Sequence, residues 1–357
     1  MSKKNYRVLV VGTGKRGMHH AVHFQADPAF DVVGLCDIDE ARVRAAAEKL
    51  GNRPRTGTNA AALAAELKPD VFCFCTHPAL RTDLVRTGIE CGAKLIAFEK
   101  PIGLTSADAL NLKRMLAASA AKAVVSHQHR YGVHYRKVRE IIASGALGRV
   151  HTVYASATGW MLHMMTHMLD YMRWYNGNAD ASWVMAQAAG RSKLGDNHPS
   201  PDYIAGVIQY ANGVRGWVEV GAGAPDQPEV AKWWGKNRIG AQGTEGFAEV
   251  LTNGGWRAVT RDGVQHGDGA MNYDLDMPPY IREMAVWLDG GPEHVCSFAN
   301  AYEGFMTMAA MMRSAADGGQ IALPLTEGRD EYAGLKDRLP AHPVLFGADV
   351  HRPEYGG

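Results

Sequence analysis

The most constraining feature of the chain stands near its start. An apolar run, Tyr6–Val11, passes directly into Gly12-Thr13-Gly14-Lys15-Arg16-Gly17, and a helical pattern opens there. A strand that turns this sharply into a helix uses one glycine for the tight turn, one to let another group approach the backbone, and one for close helix–strand packing. The N-terminus of that helix presents unpaired N–H groups and the positive end of its dipole, a natural seat for an anion. Further short apolar runs follow at Val32–Cys36, Val71–Cys75, Lys94–Phe98 and Ala123–Val125. Between them lie Ala- and Leu-rich stretches at about 16–26, 40–50, 60–67, 80–91 and 106–118. Continuous apolar runs alternating with helical patterns predict a doubly wound parallel sheet covered on both faces.

After Ser126 the rhythm changes. Arg149–Ala157, Ser182–Ala189, Tyr203–Tyr210 and Val214–Val220 are longer and often alternate, and Asn212-Gly213 is a strong hairpin signal. Arg238–Gln242 and Phe247–Leu251 add β-like runs, and Pro279–Leu288 and Ala301–Ala316 read as late helices. The expected architecture is α/β. A dinucleotide-binding domain over 1–125 precedes an α+β domain over 126–330 with a large, mostly antiparallel open sheet, and 331–357 forms an extended tail.

Composition narrows the function classes. In 357 residues, 38 Lys plus Arg face 37 Asp plus Glu, so no general field draws the chain to nucleic acid or an anionic membrane. No apolar run is long enough to span a bilayer, and the Val-rich N-terminus lacks a signal-peptide pattern, which points to a cytoplasmic protein. The 5 cysteines cannot all pair within one chain, and Cys73 and Cys75 alternate in an apolar run, as packing in a reducing compartment would have them.

The glycine turn has a partner. Asp37 ends the second strand about 20 residues beyond Gly17, where an acid binds the ribose hydroxyls of a dinucleotide. Its charge opposes a 2′-phosphate and favours NAD over NADP, while Arg16 and Arg42 lie close enough in sequence to soften that preference.

Glu99-Lys100-Pro101 follows the fourth long strand. With the glycine turn, Cys75-Thr76, Pro78-Ala79-Leu80, Ser144-Gly145-Ala146-Leu147-Gly148-Arg149-Val150, Arg313-Ser314-Ala315 and Leu323-Pro324-Leu325, the chain resembles the Gfo/Idh/MocA family of sugar and cyclitol oxidoreductases over nearly its whole length. The resemblance implies a cofactor site from Gly12, Thr13, Gly14, Lys15, Arg16, Gly17, Asp37, Thr76, His77, Glu99, Lys100 and Gln128. It places Lys100 beside the reacting carbon, where an ammonium stabilises a developing alkoxide. Pro101 would fix the backbone that aims Lys100.

The family's second signature, Asp-x-x-x-His-x-x-Asp on a helix, aligns with His163, His167 and Asp170. These fall at i, i+4 and i+7, on one face of a Met- and Leu-rich helix, and burying three titratable groups there is costly unless they are paired or used. The resemblance assigns His167 as the acid/base that exchanges the hydroxyl proton, with Asp170 orienting the site or binding substrate. His163 departs from the pattern, standing where aspartate is usual, so the set Lys-Asp-His becomes Lys-His-His. Its imidazole can itself donate or accept a proton near neutrality. Two histidines at i and i+4 also suit a metal, but no third-ligand pattern accompanies them, so no metal is expected. Arg81 and His77 are further departures, standing where a histidine and a proline are common.

Gln128-His129-Arg130-Tyr131 matches a family stretch near the active site. Arg130 and Tyr131 are candidates to bind substrate, with packing on the sheet as the equal alternative. Trp233, Trp234, Lys236 and Arg238, with Lys232, form an aromatic and cationic cluster suited to an acidic or sulfonated sugar ring, or to a subunit interface. The expected activity is NAD-dependent hydride transfer at a carbohydrate carbinol, in a homodimer or homotetramer formed through the C-terminal sheet. The alternative is a redox-neutral, NAD+-dependent glycoside hydrolase, for which His163 beside His167 supplies the extra acid/base group.

Overall fold

A computed structural model describes residues 5–228, 230 and 235–340. Backbone contacts gather the chain into two compact units. The first holds the chain up to Gly103, Asp108–Tyr131 and Asn272–Ala299; the second holds Leu104–Ala107, Gly132–Met271 and the chain from Asn300. A linear cut near residue 126 therefore differs from the observed division, because a later segment returns to the first unit. The physical reason is a shared core: Met277, Tyr280, Ile281 and Met284 pack in one apolar cluster with Val8, Val10, Phe24 and Val32.

In the first unit six parallel strands form one sheet: β1 (Tyr6–Val11), β2 (Phe30–Cys36), β3 (Arg55–Gly57), β4 (Val71–Phe74), β5 (Leu95–Phe98) and β6 (Lys122–Val125). Their spatial order is β3-β2-β1-β4-β5-β6. The strand order reverses between β1 and β4, and in open α/β sheets ligands bind outside the carboxyl ends of strands at such a switch point. Every residue of β4 and β5 is buried, which is why these strands read as unbroken apolar runs. The helices between them are α1 (Lys15–Ala26), α2 (Glu40–Lys49), α3 (Ala60–Leu67), α4 (Arg81–Glu90) and α5 (Ser106–Ala117). Asp39 and Asn59 cap α2 and α3 by accepting from the N–H groups of Arg42 and Ala62. Strand β3, absent from the sequence reading, is a three-residue edge with two exposed positions and so carries no apolar signature.

Among the described residues, the second unit's sheet has nine strands. They are β7 (Val150–Ala157), β8 (Ala181–Ala189), β9 (Tyr203–Tyr210), β10 (Arg215–Gly221), β11 (Asn237–Gly243), β12 (Gly246–Leu251), β13 (Gly255–Thr260), β14 (Gly263–Gly267) and β15 (Ile321–Ala322). The order is β14-β13-β12-β11-β7-β10-β9-β8-β15, antiparallel except for the β7–β10 pair. The hairpin at Asn212-Gly213 joins β9 to β10, with Gly213 at a φ of 84°. Helices α6 (Val133–Ala143) and α7 (Met161–Tyr175) pack on one face of this sheet.

Three helices follow: α8 (Tyr273–Leu288), in the returning segment of the first unit, α9 (Phe298–Asp317) and α10 (Glu331–Arg338). The sequence reading begins α8 at Pro279; the helix instead starts six residues earlier, where Asn272 caps it by accepting from the Asp274 N–H, and runs through Pro278 and Pro279. Each proline removes a backbone donor, a loss offset by burying Met277, Tyr280, Ile281 and Met284 on one face. The expected extended tail from residue 331 is corrected over its first turns: Asp330 caps α10, and the fully buried Glu331 accepts from the Ser106 hydroxyl at 2.5 Å and from Arg313 Nε at 3.0 Å. Residues 341–357 of that tail lie outside the described residues. Among the described residues, no helix is long and apolar enough to cross a membrane.

Candidate active site

The glycine turn is built as its spacing implies. Gly12 sits at a φ of 82°, and a β-carbon there would lie 2.4 Å from the Cys75 carbonyl oxygen. A β-carbon on Gly17 would meet the Gly12 oxygen at 1.7 Å, so α1 approaches the strand end closely only because this residue has none. Gly14, the N-cap of α1, faces open space: no atom lies within 4 Å of where its β-carbon would be. The first glycine serves the turn, the third the packing, and the second leaves room for a ligand against the helix N-terminus. Lys15 is exposed at that terminus.

Asp37 is buried at the end of β2 and holds the turn from the other side. Its Oδ2 accepts from the Thr13 backbone N–H at 2.7 Å and from the Thr13 hydroxyl at 3.1 Å, while Oδ1 accepts from the Asp39 N–H at 3.0 Å. Arg42 Nη1 reaches the same carboxylate at 3.5 Å. The acid and the turn, distant in sequence, are thus one hydrogen-bonded unit.

Glu99 follows β5 and gathers a second network. Its Oε1 lies 3.0 Å from Arg16 Nη2, 3.2 Å from Arg16 Nε and 3.2 Å from His20 Nε2. Burial by itself would raise the Glu99 pKa, but the Arg16 charge and the His20 contact override it and hold the carboxyl well below its usual range. The next residue, Lys100, precedes a cis peptide bond to Pro101. Burial draws its ammonium down to about 8, against the opposing pull of Glu99 and with the push of Arg16 and Arg81. A lysine held there can both carry charge and exchange a proton near neutrality.

Arg81, whose role the sequence leaves open, anchors this corner. It is 1% exposed, donates from Nε to the Pro101 carbonyl at 3.1 Å and from Nη1 to the Thr76 carbonyl at 2.8 Å, and lies over the Phe74 ring at 5.5 Å. One guanidinium thereby ties the Glu-Lys-Pro loop to the loop after β4. Its signal in the sequence was only a departure from the family pattern, since an arginine opening a helix otherwise reads as surface. His77 caps the short helical turn that precedes α4, its Nδ1 accepting from the Ala79 N–H at 3.3 Å.

Gln128, Arg130 and Tyr131 are all buried in the first unit. Gln128 accepts from the Ser126 hydroxyl at 2.9 Å, Arg130 donates to the Val295 carbonyl at 3.0 Å, and the Tyr131 hydroxyl donates to Glu283 at 2.5 Å. Burial first, then the neighbouring Cys296 and Glu283, raises the Tyr131 phenol far above its ordinary value. These contacts join Arg130 and Tyr131 to the returning segment.

In the second unit, α7 presents His163, His167 and Asp170 as its spacing implies. His167 is 9% exposed, and its Nδ1 lies 3.1 Å from the Tyr171 hydroxyl one turn on. Asp170 is fully buried. His163 is only partly buried, and its ring stacks on that of His198 at 4.1 Å between centroids. His198 comes from the segment that runs beside the start of α7, where the Ser200 hydroxyl accepts from the Leu162 N–H at 3.1 Å. No periodic pattern links position 198 to this helix, so sequence reasoning missed it.

The cationic cluster is partly outside the described residues: Lys232, Trp233 and Trp234 lie there. Of the rest, Lys236 pairs with Asp226, and Arg238 donates to Gln227 at 2.8 Å near Glu249.

Comparison with known proteins agrees with this architecture. Residues 6–127 match the oxidoreductase family with an NAD-binding Rossmann fold, and residues 154–249 match the GFO/IDH/MocA C-terminal domain. The chain is 25% identical to inositol 2-dehydrogenase 3 of Saccharopolyspora erythraea, covering 96% of this chain and 98% of the relative. It is 23% identical to D-glucoside 3-dehydrogenase of Escherichia coli, covering 61% of this chain and 71% of the relative. An oxidoreductase from Agrobacterium radiobacter, solved with NAD+, L-tartaric acid and magnesium, superposes with a TM-score of 0.75 at 18% identity, covering 89% of this chain and 98% of that one. The N-terminal domain binds NAD, and the chain belongs to the Gfo/Idh/MocA family of sugar and cyclitol oxidoreductases.

Proposed function

We propose that the chain moves a hydride between a ring carbinol of a sugar or cyclitol and the nicotinamide of NAD. The observation that carries this reading is Lys100, fixed at the end of β5 by Arg81 and the Glu99–Arg16 pair, with an ammonium drawn down to about 8. In the forward direction His167 takes the hydroxyl proton, Lys100 stabilises the oxyanion, and the carbinol hydride passes to the cofactor. Asp170 orients the substrate and His163 relays the proton to solvent. Gly12, Gly14 and Gly17 seat the diphosphate, and Asp37 binds the adenosine ribose by exchanging its contacts with Thr13 for the ribose hydroxyls. Turnover of a panel of free sugars and cyclitols, followed as NADH, tests the reading; a panel that binds but never reduces NAD+ removes it.

A second reading is supported by the His163–His198 stack, which adds one proton-transfer group on the helix of His167 and another from the segment beside it. In a redox-neutral glycosidase, NAD+ takes the hydride from a ring carbinol and leaves a ketone. A base then removes the acidified neighbouring proton as the glycosidic group departs, water adds, and the hydride returns. Release of aglycone without net NADH, with solvent deuterium entering next to the transient ketone, selects this route; NADH in proportion to product selects the first.

The substrate's charge is a narrower proposal. Lys236 and Arg238 suit a carboxylate or sulfonate, which would displace Asp226 and Gln227 from them. Equal kcat/KM for a uronic acid and its neutral parent sugar rules that preference out. On the second unit's sheet, Trp217 and Met185 are 54% and 46% exposed, a face on which a second copy of the chain would pack. Light scattering that returns a monomer mass excludes such pairing.

A further inference from the structure

Behind the glycine turn lies a group of side chains that the proposed reaction does not use. Cys73, in β4, and Cys75, just beyond its end, are two residues apart and so project to the same side of the sheet. His20 comes from α1. One ligand-forming atom from each of the three lies within 4.8 Å of the others, and they are the one such cluster among the described residues. We propose that His20, Cys73 and Cys75 bind a single thiophilic divalent cation, of which Zn2+ is the representative.

Four observations carry the assignment. The donor set, two sulfurs and an imidazole, is the one borderline-soft cations select over Mg2+ or Ca2+. With Zn–S near 2.3 Å and Zn–N near 2.0 Å, neighbouring ligand atoms in a tetrahedral site sit roughly 3.3–3.8 Å apart. The three atoms therefore need to close by about 1.5 Å at most, within reach of side-chain rotation.

His20 is fully buried, its Nε2 lies 3.2 Å from Glu99, and its Nδ1 is buried with no hydrogen-bond partner. An imidazole whose one N–H is held by a carboxylate while its other nitrogen is bare is the arrangement in which metal-ligating histidines are found.

Charge also balances. Two thiolates neutralise the dication as two protons leave, one from the Cys73 thiol and one from the Cys75–His20 pair, and Glu99 remains matched by Arg16.

The site would act on the turn. The Cys75 N–H donates to the Val11 carbonyl at 2.8 Å, and its carbonyl is the atom that a β-carbon on Gly12 would strike. A cation bridging Cys75 to His20 would clamp β4 to α1 around the dinucleotide turn whether or not NAD is bound.

The test uses the full-length chain, reduced and stripped with a chelator, without cofactor. Titration with Co2+ is expected to saturate at one equivalent per chain with a sulfur-to-cobalt charge-transfer absorption that Zn2+ then displaces. His20→Ala and Cys73→Ala are each expected to lose that absorption, while Cys36→Ala keeps it. If either variant fails to fold, the unaltered chain still decides: Zn2+ should protect Cys73 and Cys75, and not Cys91, from alkylation read by peptide mass. Absence of the charge-transfer absorption in the unaltered chain, its persistence in both folded variants, or protection of other cysteines instead would overturn the site.

Discussion

The dinucleotide turn and helix α7 bury polar groups in opposite ways. Around the turn each buried carboxylate has several donors: Asp37 takes Thr13 twice and Asp39, and Glu99 takes Arg16 and His20. On α7 the groups lie among methionines and leucines: His167 Nδ1 lies 3.1 Å from the Tyr171 hydroxyl of its own helix, and the neighbouring Thr166 hydroxyl is buried with no hydrogen-bond partner. A carboxylate held by several donors from separate parts of the chain is fixed in place before a ligand arrives, whereas groups spaced along one helix owe their alignment to the helical period alone. The dinucleotide turn is preorganised by long-range contacts; the α7 groups are aligned by local helix geometry.

The comparison breaks first where chemistry is lost. His167→Ala should lower kcat about a thousandfold, as loss of a general acid/base group does, while NAD affinity stays within twofold. Unchanged turnover, measured as NADH formed, would take His167 out of the mechanism. Gly12→Ala adds a β-carbon that strikes the Cys75 carbonyl, and should weaken NAD about a hundredfold in a fluorescence titration, corresponding to ~2.7 kcal/mol. Binding at the native level would mean the turn yields more easily than its contacts imply.

Arg81→Met leaves the Thr76 and Pro101 carbonyls without their buried donor. Each such loss costs about 1–3 kcal/mol, so the melting temperature should fall, and kcat should drop further than NAD affinity does. Equal losses in both would assign Arg81 to stability alone. Asp37→Ala should narrow the NAD over NADP preference by about tenfold, as the ratio of the two titrations, consistent with ~1.4 kcal/mol for one ribose contact.

The smallest expected effect is a shift in pH. If Lys100 acts as an ammonium, kcat/KM falls as pH rises through about 8, because the amine then loses its proton. Glu99 is the group that opposes this loss, so Glu99→Gln should move the basic limb to lower pH. A limb that stays in place would show that some other group sets it.

Much of this was legible in the residues. Strands β4 and β5 are buried on both faces and announce themselves as apolar runs, and the turn's glycines, Asp37 and Lys100 follow from local order along the chain. What stayed hidden depends on contacts between distant positions. Arg81 looks like a surface residue until Pro101 and Thr76 close on it. His198 reaches His163 through a segment with no periodic signal. Strand β13 opens at Gly255 and buries only Gly255, Ala258 and Thr260, and every residue of β14 but the last is exposed, so neither carries the regular apolar alternation that a pattern could reveal. The early start of α8 depends on one capping asparagine, which two prolines mask.

The returning segment bears on how the protein is made. The apolar cluster of the first unit includes residues from Val8 to Cys296, so its core lacks a wall until nearly 300 residues have been synthesised. Strands β7–β14 emerge before that wall does. A ribosome moving at about 5–20 residues per second therefore exposes an unfinished nucleotide-binding core for at least several seconds, during which a chaperone has something to hold. A gene fragment ending at Tyr131 would leave that exposure permanent.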